Sequence, residues 1–381
     1  MTRGEDRLPA APAWLPALAR VALLATRAFC RIEVHGALPR RDGPLLILAN
    51  HQHDLDSIAV PLLAVLTPPT RTPVRAVGSQ RLFEPGLLGP RLPDLFASAL
   101  PGLNPGRALR RLGVLPLENE PLRRPLASLA YEVYLRHGDL PLREVLAAGG
   151  PGRVSDIWVP GRLARHPAPA SILDLREPYR GEARAALRPR VEAQMAAVAA
   201  ALAGGATVFV TPEGRVTADG RLAPMGGLLS RLLPLARGRI QLAAIAYDPL
   251  VRRRFTMVVR LLAPADPDDI ATSLAAARPV TASQLLSVWL VRERPKVVTP
   301  AGIEAALREG VRALPAGAWV APVPAAARGM LATLVRLGYC APGGAMTGRV
   351  HDRRLHEPLD VFAAQAAMLD ETCQALRRLR R

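Results

Sequence analysis

Residues 44–56 read Pro-Leu-Leu-Ile-Leu-Ala-Asn-His-Gln-His-Asp-Leu-Asp, so a continuous apolar run leads directly into polar and ionisable side chains. A short run that is apolar on both faces is typical of a strand buried on both sides of a parallel sheet. An apolar helical pattern then begins at Asp56 or Ser57 and continues to Leu66. A buried strand, a polar turn and a helix in this order form one repeat of an α/β sheet.

The alternation of helices and strands continues in the second half of the chain. A helical pattern at 191–202 ends at Gly204 and Gly205, and the apolar run 207–210 follows it. A helical pattern at 228–235 is likewise followed by a strand pattern at 241–247. Further strand patterns lie at 31–35, 74–77 and 255–262. We therefore predict an α/β fold with a mostly parallel central sheet flanked by helices.

The chain divides into three regions by pattern. Residues 1–36 hold a helix and the first strand, and residues 37–265 hold the α/β domain, with an insertion rich in Pro, Gly and Arg around 118–190. Residues 266–381 form an additional C-terminal helical region. Thr281 and Gln284 there have the spacing of a capping box at the start of one helix, and Thr299-Pro300 opens the next.

Composition narrows the choice of partner and compartment. The formal net charge of +18 fits nucleic acid, an anionic membrane surface or substrates that carry phosphate. No basic run alternates with aromatic residues, which argues against a groove for single-stranded nucleic acid. The three cysteines are far apart and form no CxxC pair, so we predict neither a disulfide framework nor a zinc site; they are Cys30, Cys340 and Cys373. We therefore expect the protein to be located in the reducing cytosol.

The first helical pattern, at 14–29, is amphipathic. Trp14, Leu18 and Leu24 are among its apolar residues, whereas Arg20 and Arg27 share one face. The pattern is too short and too often interrupted to span a bilayer. It predicts a helix that lies in a membrane interface with its arginines at the headgroups. An ordinary amphipathic helix packed on the domain explains the same pattern.

His51 and Asp56 are the first candidates for chemistry. Both follow the predicted strand 44–49, and side chains at the carboxyl end of a strand face the usual ligand crevice of an α/β sheet. A histidine there acts as a general base near neutral pH, and a carboxylate five residues on fixes its tautomer and stabilises the imidazolium. No Ser or Cys nucleophile is needed if a substrate hydroxyl attacks. Alternatively, Asp54 or Asp56 caps the next helix and His51 satisfies a turn.

A second polar loop follows the predicted strand at 207–210. Residues 211–215 read Thr-Pro-Glu-Gly-Arg, which brings the Glu213 carboxylate, the Gly214 amide and the Arg215 guanidinium into one loop. Such a set suits a phosphate or a polar headgroup. A plain Pro-Glu-Gly turn is the alternative.

Together, these blocks resemble those of the glycerolipid acyltransferase family, which includes lysophosphatidate acyltransferases. The Asn-His-x4-Asp block of that family is matched by Asn50, His51 and Asp56, and its Pro-Glu-Gly-Thr-Arg block is matched by residues 212–214. An apolar strand that ends in Tyr-Asp is matched by residues 245–249. The resemblance covers roughly residues 14–263, apart from the insertion.

The resemblance implies that His51, oriented by Asp56, deprotonates a lipid hydroxyl, which attacks the thioester of acyl-CoA or acyl-carrier protein. The acceptor would be a lipid such as a lysophospholipid. The residues expected to bind substrate are Asn50, Glu213, Gly214 and Arg215. No metal and no bound cofactor are expected. We expect a membrane surface rather than nucleic acid as the partner, and a cytoplasmic protein attached peripherally to the inner face of the cell membrane.

The chain departs from the family pattern in ways that leave the acceptor open. His53 stands where the family has a small hydroxyl residue, and Arg215 and Thr217 differ in position from the Thr-Arg of the family block. The family's middle block, a glycine, apolar residues and an arginine, finds only residues 113–117, followed by Glu118. These departures leave open whether the acceptor carries a phosphate.

Three other functions are compatible with the sequence. The first two are a catalytically silent lipid-binding relative and a hydrolase that acts on the same acyl thioester. The third is a nucleic-acid-binding protein, which rests on the net charge and on two consecutive helical patterns within 281–314. The connection at 292–298 is longer than the turn of a helix-turn-helix, and the second of these helices is mixed in charge.

Overall fold

The structure is a computed structural model that describes residues 13–40, 43–53, 55–67, 72–83, 106–118, 126–158, 172–214, 216–217, 219–225, 227–236, 238–322, 327–352 and 360–380. The chain forms two compact units. The first unit comprises Met1–Val74 and Leu202–Arg381, and the second comprises Arg75–Ala201.

The helices and strands alternate through most of the described residues. The strands are β1 Arg31–His35, β2 Leu45–Ala49, β3 Val74–Ser79, β4 Val114–Leu117, β5 Thr207–Val210, β6 Ile240–Asp248 and β7 Thr256–Leu262. The helices are α1 Leu15–Phe29, α2 Asp56–Leu66, α3 Gly106–Arg111, α4 Leu126–His137, α5 Leu142–Val145, α6 Tyr179–Ala203, α7 Leu228–Ala236, α8 Ile270–Ala277, α9 Ala282–Glu293, α10 Pro300–Arg312, α11 Ala327–Arg336 and α12 Val361–Arg378.

The sheet of the first unit has the strand order β1-β7-β6-β2-β5. β2 lies between β5 and β6 and is parallel to both, and β1 is parallel to β7. β6 and β7, joined by a short connection, are antiparallel. Every residue of β2, β5 and β6 is buried, as the continuous apolar runs predict. The prediction of an α/β fold with a mostly parallel sheet is confirmed.

Local sequence signals place several helices accurately. α2 begins at Asp56 and ends at Leu66, as predicted. The capping box at α9 is present, because the Thr281 hydroxyl accepts from the Gln284 backbone N–H and the Gln284 side chain accepts from the Thr281 N–H. Thr299 caps α10, with Pro300 at its first position.

Two elements differ from the sequence-based expectation. The helix predicted at 191–202 is α6, Tyr179–Ala203, whose arginine-rich first half carries little apolar periodicity and lies within the predicted insertion. β4, Val114–Leu117, was not predicted as a strand, and it contains Pro116, which has no N–H to donate. It pairs with β3 in parallel.

The predicted C-terminal helical region is confirmed, and it packs on the end of β6. Leu250 and Val251, which follow β6, share a core with buried residues of all four last helices: Leu286, Leu290, Ile303, Met330, Leu334, Val361 and Phe362. Asp248 accepts from the Ser283 backbone N–H of α9 at 3.1 Å, and the Ser283 hydroxyl accepts from the Leu250 N–H at 2.8 Å. The first unit thus joins the sheet and these helices, while the boundaries at 36 and 265 stay predictions.

The second unit contains a helical core of its own. α4, α5 and the short helical turn Val154–Trp158 bury, among others, Leu129, Leu142 and Ile157. The Asp139 carboxylate accepts from the backbone N–H and hydroxyl of Ser155, each at 2.9 Å. Desolvation raises the pKa of Asp139, but these bonds and Arg153 together outweigh it, so the pKa is lowered. The described part of the predicted insertion is therefore a packed helical body.

Helix α1 has apolar residues on two faces. One face is buried and packs on α2; its residues are Leu15, Ala19, Leu23 and Thr26. The other is exposed; its large apolar residues, with Trp14 just before the helix, are Trp14, Leu18, Val21, Leu24 and Phe29. None of the helices in the described ranges combines the length and apolar character that crossing a bilayer requires.

Candidate active site

Asn50 directly follows β2, and its side chain bonds to the neighbouring strand β6. Its side-chain N–H donates to the Ile245 carbonyl at 2.9 Å, and its side-chain oxygen accepts from the Ile245 N–H at 2.7 Å. Both bonds thus join the residue after Ala49 to the β6 residue two positions beyond Ala243, the partner of Ala49. Asn50 is completely buried. It fixes where the chain leaves the sheet, and its predicted contact with substrate stays a prediction.

Asp56 closes the turn between β2 and α2. Its Oδ2 accepts from the backbone N–H of Gln52 at 2.5 Å and of His53 at 2.7 Å. Its Oδ1 accepts from the Tyr247 hydroxyl. The carboxylate is completely buried, so these charge-assisted bonds offset its desolvation. Asp56 is the first residue of α2, and the N-cap position is taken by Leu55, without a side-chain cap.

His51 lies beside this carboxylate. Its Nδ1 is 3.5 Å from Asp56 Oδ2, and its side chain is 15% exposed. That separation is long for a hydrogen bond, but catalytic hydrogen bonds in unliganded sites are often long and shorten when substrate binds. The structure thus brings together the two residues predicted as the catalytic pair, with part of the imidazole accessible to a reactant.

Glu213 holds the backbone of His51 from the neighbouring strand. β2 and β5 are parallel and in register from Leu45–Thr207 to Leu48–Val210, so the loops that follow them leave the same edge of the sheet. Glu213 Oε1 accepts from the His51 N–H at 2.8 Å, and Oε2 accepts from the Ala223 N–H at 2.9 Å. Both carboxylate oxygens therefore bind backbone amides, and the predicted role of Glu213 in binding the acceptor stays a prediction.

Burial raises the pKa of Glu213 to about 7, well above the usual value of a glutamate. The two backbone N–H bonds and the nearby charges of Arg278 and His51 act in the opposite direction. Glu213 is only 8% exposed, so its charged form depends on these partners. It is therefore a carboxyl group that changes charge near neutral pH.

The loop after Glu213 is partly outside the described residues. Gly214 has a φ of +68°, a conformation that favours glycine, and its N–H donates to the Thr211 carbonyl at 3.1 Å to close the turn. The turn that the Pro-Glu-Gly alternative predicts is thus present. Arg215, predicted to bind substrate, and Asp54, considered as a cap, lie outside the described residues.

Tyr247 is a site residue whose contact with Asp56 was not predicted. Its hydroxyl donates to Asp56, and its ring centroid is 5.6 Å from that of His53 and 5.5 Å from that of Phe255. His53 accepts at Nδ1 from the Leu55 N–H at 3.1 Å. The sequence signal for Tyr247 was the Tyr-Asp pair at the end of an apolar strand. That strand is β6, and it pairs with β2.

The thiol of Cys30 lies close enough to the candidate site to be affected by the charge of Asp56. Burial, together with the negative charge of Asp56, raises the pKa of the Cys30 thiol to about 11. A thiol of that pKa is protonated at neutral pH and is a poor nucleophile. Within the ranges that the structure describes, no group of three or more His, Cys, Asp or Glu side chains is arranged to hold a metal ion.

Comparisons with known proteins give only weak structural likeness. No family model and no curated protein matches the chain. Among solved structures, the chain is similar to the crystal structure of the 1-acyl-sn-glycerophosphate (LPA) acyltransferase PlsC from Thermotoga maritima, with a TM-score of 0.31 and 13% sequence identity. That likeness covers 68% of this chain and 69% of the other. These values assign the chain to no family.

Proposed function

We propose that this protein is an acyltransferase that moves a fatty acyl group from an acyl thioester to a lipid hydroxyl, with His51 as the general base. The observation that carries the proposal is the His51–Asp56 pair, 3.5 Å apart, beyond the carboxyl end of β2. The resemblance of residues 50–56, 212–214 and 245–249 to the family blocks supports the same reaction.

The proposed step needs one base and a fixed geometry. Nδ1 of His51 faces Asp56, so we assign the single proton of the neutral imidazole to Nδ1. Nε2 is then the atom that takes the proton of the lipid hydroxyl. The hydroxyl oxygen bonds to the thioester carbonyl carbon, and the carbon–sulfur bond breaks. The leaving thiolate then takes the proton from the imidazolium, which yields an ester and a thiol.

Asp56 supports this step electrostatically. A buried carboxylate beside the imidazole stabilises the positive charge that develops when His51 accepts the proton. The Tyr247 hydroxyl and two backbone amides hold the carboxylate in place, so it does not rotate away from the ring. In this scheme neither a metal ion nor a bound cofactor takes part.

We further propose that the acceptor is reached at a membrane surface. The exposed face of α1 presents Trp14, Val21 and Phe29, of which Phe29 is 72% exposed. Arg27 lies in the last turn of α1, and Arg31 follows at the start of β1. Apolar side chains bordered by arginines suit the interface of an anionic bilayer, such as the inner face of a cell membrane.

The donor and acceptor classes follow from the same chemistry. Acyl-CoA and acyl-carrier protein both present a thioester and negative charge, and a lysophospholipid presents a hydroxyl beside a phosphate. The net charge of +18 is favourable for all three. We propose a lysophospholipid acceptor on this ground and do not choose between the two donors.

The test follows thiol release from a panel of acyl-CoA thioesters, and then from acyl-carrier protein, with and without a lipid extract. Wild type should release thiol only with lipid present, and mass spectrometry should find the acylated lipid. His51→Ala should lower the rate by about a hundredfold or more, as expected for the loss of a general base. The matched control is His137→Ala, which removes a partly exposed histidine that bonds to Glu182 in the second unit.

Each alternative gives a different result. Thiol release that does not depend on lipid would mean that the protein is a thioester hydrolase. No turnover with either donor would favour a catalytically silent lipid-binding relative. Equal rates for His51→Ala and His137→Ala would overturn the role of His51 whatever the substrate.

A further inference from the structure

Arg278 is a completely buried arginine, located directly after α8. Its guanidinium donates to the Glu371 carboxylate, to the Gly220 carbonyl at 3.2 Å and to the Met368 carbonyl at 3.3 Å. A buried guanidinium is expensive unless a counter-charge and hydrogen bonds compensate for the lost water. The proposed reaction gives this buried charge no role, although it lies close enough to lower the pKa of Glu213.

Glu371 connects the buried arginine to a segment of backbone. Glu371 is on α12, and its Oε2 and Oε1 accept from the Leu222 N–H at 3.0 and 3.3 Å. Arg278 bonds to the carbonyl of Gly220 in the same segment. We name residues 220–223 the strap, because the Arg278–Glu371 pair holds it against α12 through both a carbonyl and an N–H.

The strap is packed tightly against α12. Gly220 has a φ of +72°, and a Cβ at this position would lie 2.9 Å from Met368 Cγ. Any side chain at residue 220 would therefore both strain the backbone and collide with α12. The close approach indicates that the position of the strap is set by α12.

The strap leads directly to the candidate base. The residue after Leu222 is Ala223, whose N–H donates to Glu213 Oε2, and the other oxygen of Glu213 accepts from the His51 N–H. A second contact runs from α12 to the residue next to His51, because the Gln52 side-chain N–H donates to the sulfur of Met368. The backbone around His51 is thus linked to α12 by two routes.

We propose that Arg278 and Glu371 are a positioning pair that fixes the backbone of His51 through the strap and Glu213. The inference deepens the proposed function and rests on it for its catalytic consequence. The physical link itself can be measured without any substrate. Part of the candidate site would then depend on α12, which lies outside the segment that resembles the acyltransferase blocks.

The charge of Arg278 contributes as well as its geometry. Burial raises the pKa of Glu213, while its backbone N–H bonds to Ala223 and His51 and the charges of Arg278 and His51 lower it. Arg278 in turn faces Glu371 and Arg221. Removing the positive charge of Arg278 therefore raises the pKa of Glu213, and a protonated carboxyl accepts from the two backbone amides more weakly than a carboxylate does.

The experiment measures amide hydrogen exchange by mass spectrometry in the full chain. Glu371→Gln removes the negative charge. Glu371→Asp keeps the charge but shortens the side chain, which moves the carboxylate away from Leu222. This second, milder variant is used if Glu371→Gln folds poorly. In both, exchange should rise about tenfold or more in peptides that cover 51–53 and 220–223, since local opening sets the rate. The matched control is Arg377→Gln, which removes an exposed charge from the same helix.

Activity adds a readout that a structural role alone would not move. Arg278→Met should shift the acid limb of the pH–rate profile to higher pH, and Arg278→Lys should leave it in place, because lysine keeps the charge. Unchanged exchange at 51–53 in folded Glu371→Gln and Glu371→Asp would overturn the proposal, as would a rise spread evenly over all helices. Local exchange changes in a protein without transferase activity would retain the positioning link and reject only the proposed function.

Discussion

The ionisation of Glu213 makes a quantitative prediction about stability. Its pKa is raised from 4.5 to about 7 in the folded protein, mainly by burial. Because one pKa unit corresponds to about 1.4 kcal/mol, ionising Glu213 costs about 3 kcal/mol more in the folded than in the unfolded chain. Folding is therefore more favourable when Glu213 is protonated. Since the pKa is higher in the folded than in the unfolded chain, this stabilisation is complete below pH 4.5 and is lost as the pH rises through about 7.

The perturbation is Glu213→Gln, which cannot ionise. The free energy of unfolding of the parent, minus that of the variant, should fall by about 3 kcal/mol between pH 4.5 and pH 8. The absolute difference at one pH also contains the lost hydrogen bond, since a glutamine nitrogen cannot accept from a backbone N–H. Only the change with pH therefore measures the pKa.

The assay is urea unfolding at several pH values, with free energies from linear extrapolation. Parent and variant are both compared in the His51→Ala background, because the charge of His51 lowers the pKa of Glu213; without it the fall should be about 3 kcal/mol or more. Asp248, whose burial raises its pKa to about 6, is present in both proteins and cancels. The control is Glu309→Gln on the exposed side of α10, which should change the free energy of unfolding by no more than about 1 kcal/mol, since it removes only an exposed ion pair. A difference that is independent of pH would refute the argument, because Glu213 would then ionise as it does in the unfolded chain.

Two further predictions concern the other parts of the site. Tyr247→Phe removes the hydroxyl that donates to Asp56, so urea unfolding should show a loss of about 1.5–3 kcal/mol, the range for a hydrogen bond to a charged group; a loss below about 0.5 kcal/mol would mean that this bond contributes little. Leu18→Asp with Leu24→Asp on the exposed face of α1 should abolish flotation with anionic vesicles at high salt, whereas Leu135→Asp, equally exposed in the second unit, should not. Vesicle binding that persists in the double variant would reject the interfacial role of α1.

Local signals in the sequence were sufficient for elements that local forces set. α2 follows from a polar turn and an apolar period, and α9 follows from the Thr281–Gln284 capping box, since each involves residues within one turn of each other. The first half of α6 lacks an apolar stripe and was missed for that reason. β4 was missed because a strand of four residues with an internal proline gives almost no periodic signal.

The site itself depends on contacts that no local pattern contains. His51 and Asp56 were predicted as a pair because they lie on one turn. The Tyr247 hydroxyl, by contrast, is 191 positions from Asp56, and the Arg278–Glu371 pair spans 93 positions. Only the tertiary fold brings these groups together. The sequence therefore predicted that His51 and Asp56 lie together, but not which residues hold them in place.

The use of backbone amides around His51 limits how the proposed reaction is catalysed. Three successive N–H groups, those of His51, Gln52 and His53, follow β2 and would otherwise be a natural site for a developing oxyanion. Here the first donates to Glu213 and the next two donate to Asp56. These amides therefore stabilise the carboxylates that hold the base rather than the reacting carbonyl oxygen. It follows that, in the proposed reaction, these three backbone amides contribute by positioning His51, and that the donors to a developing oxyanion are other groups.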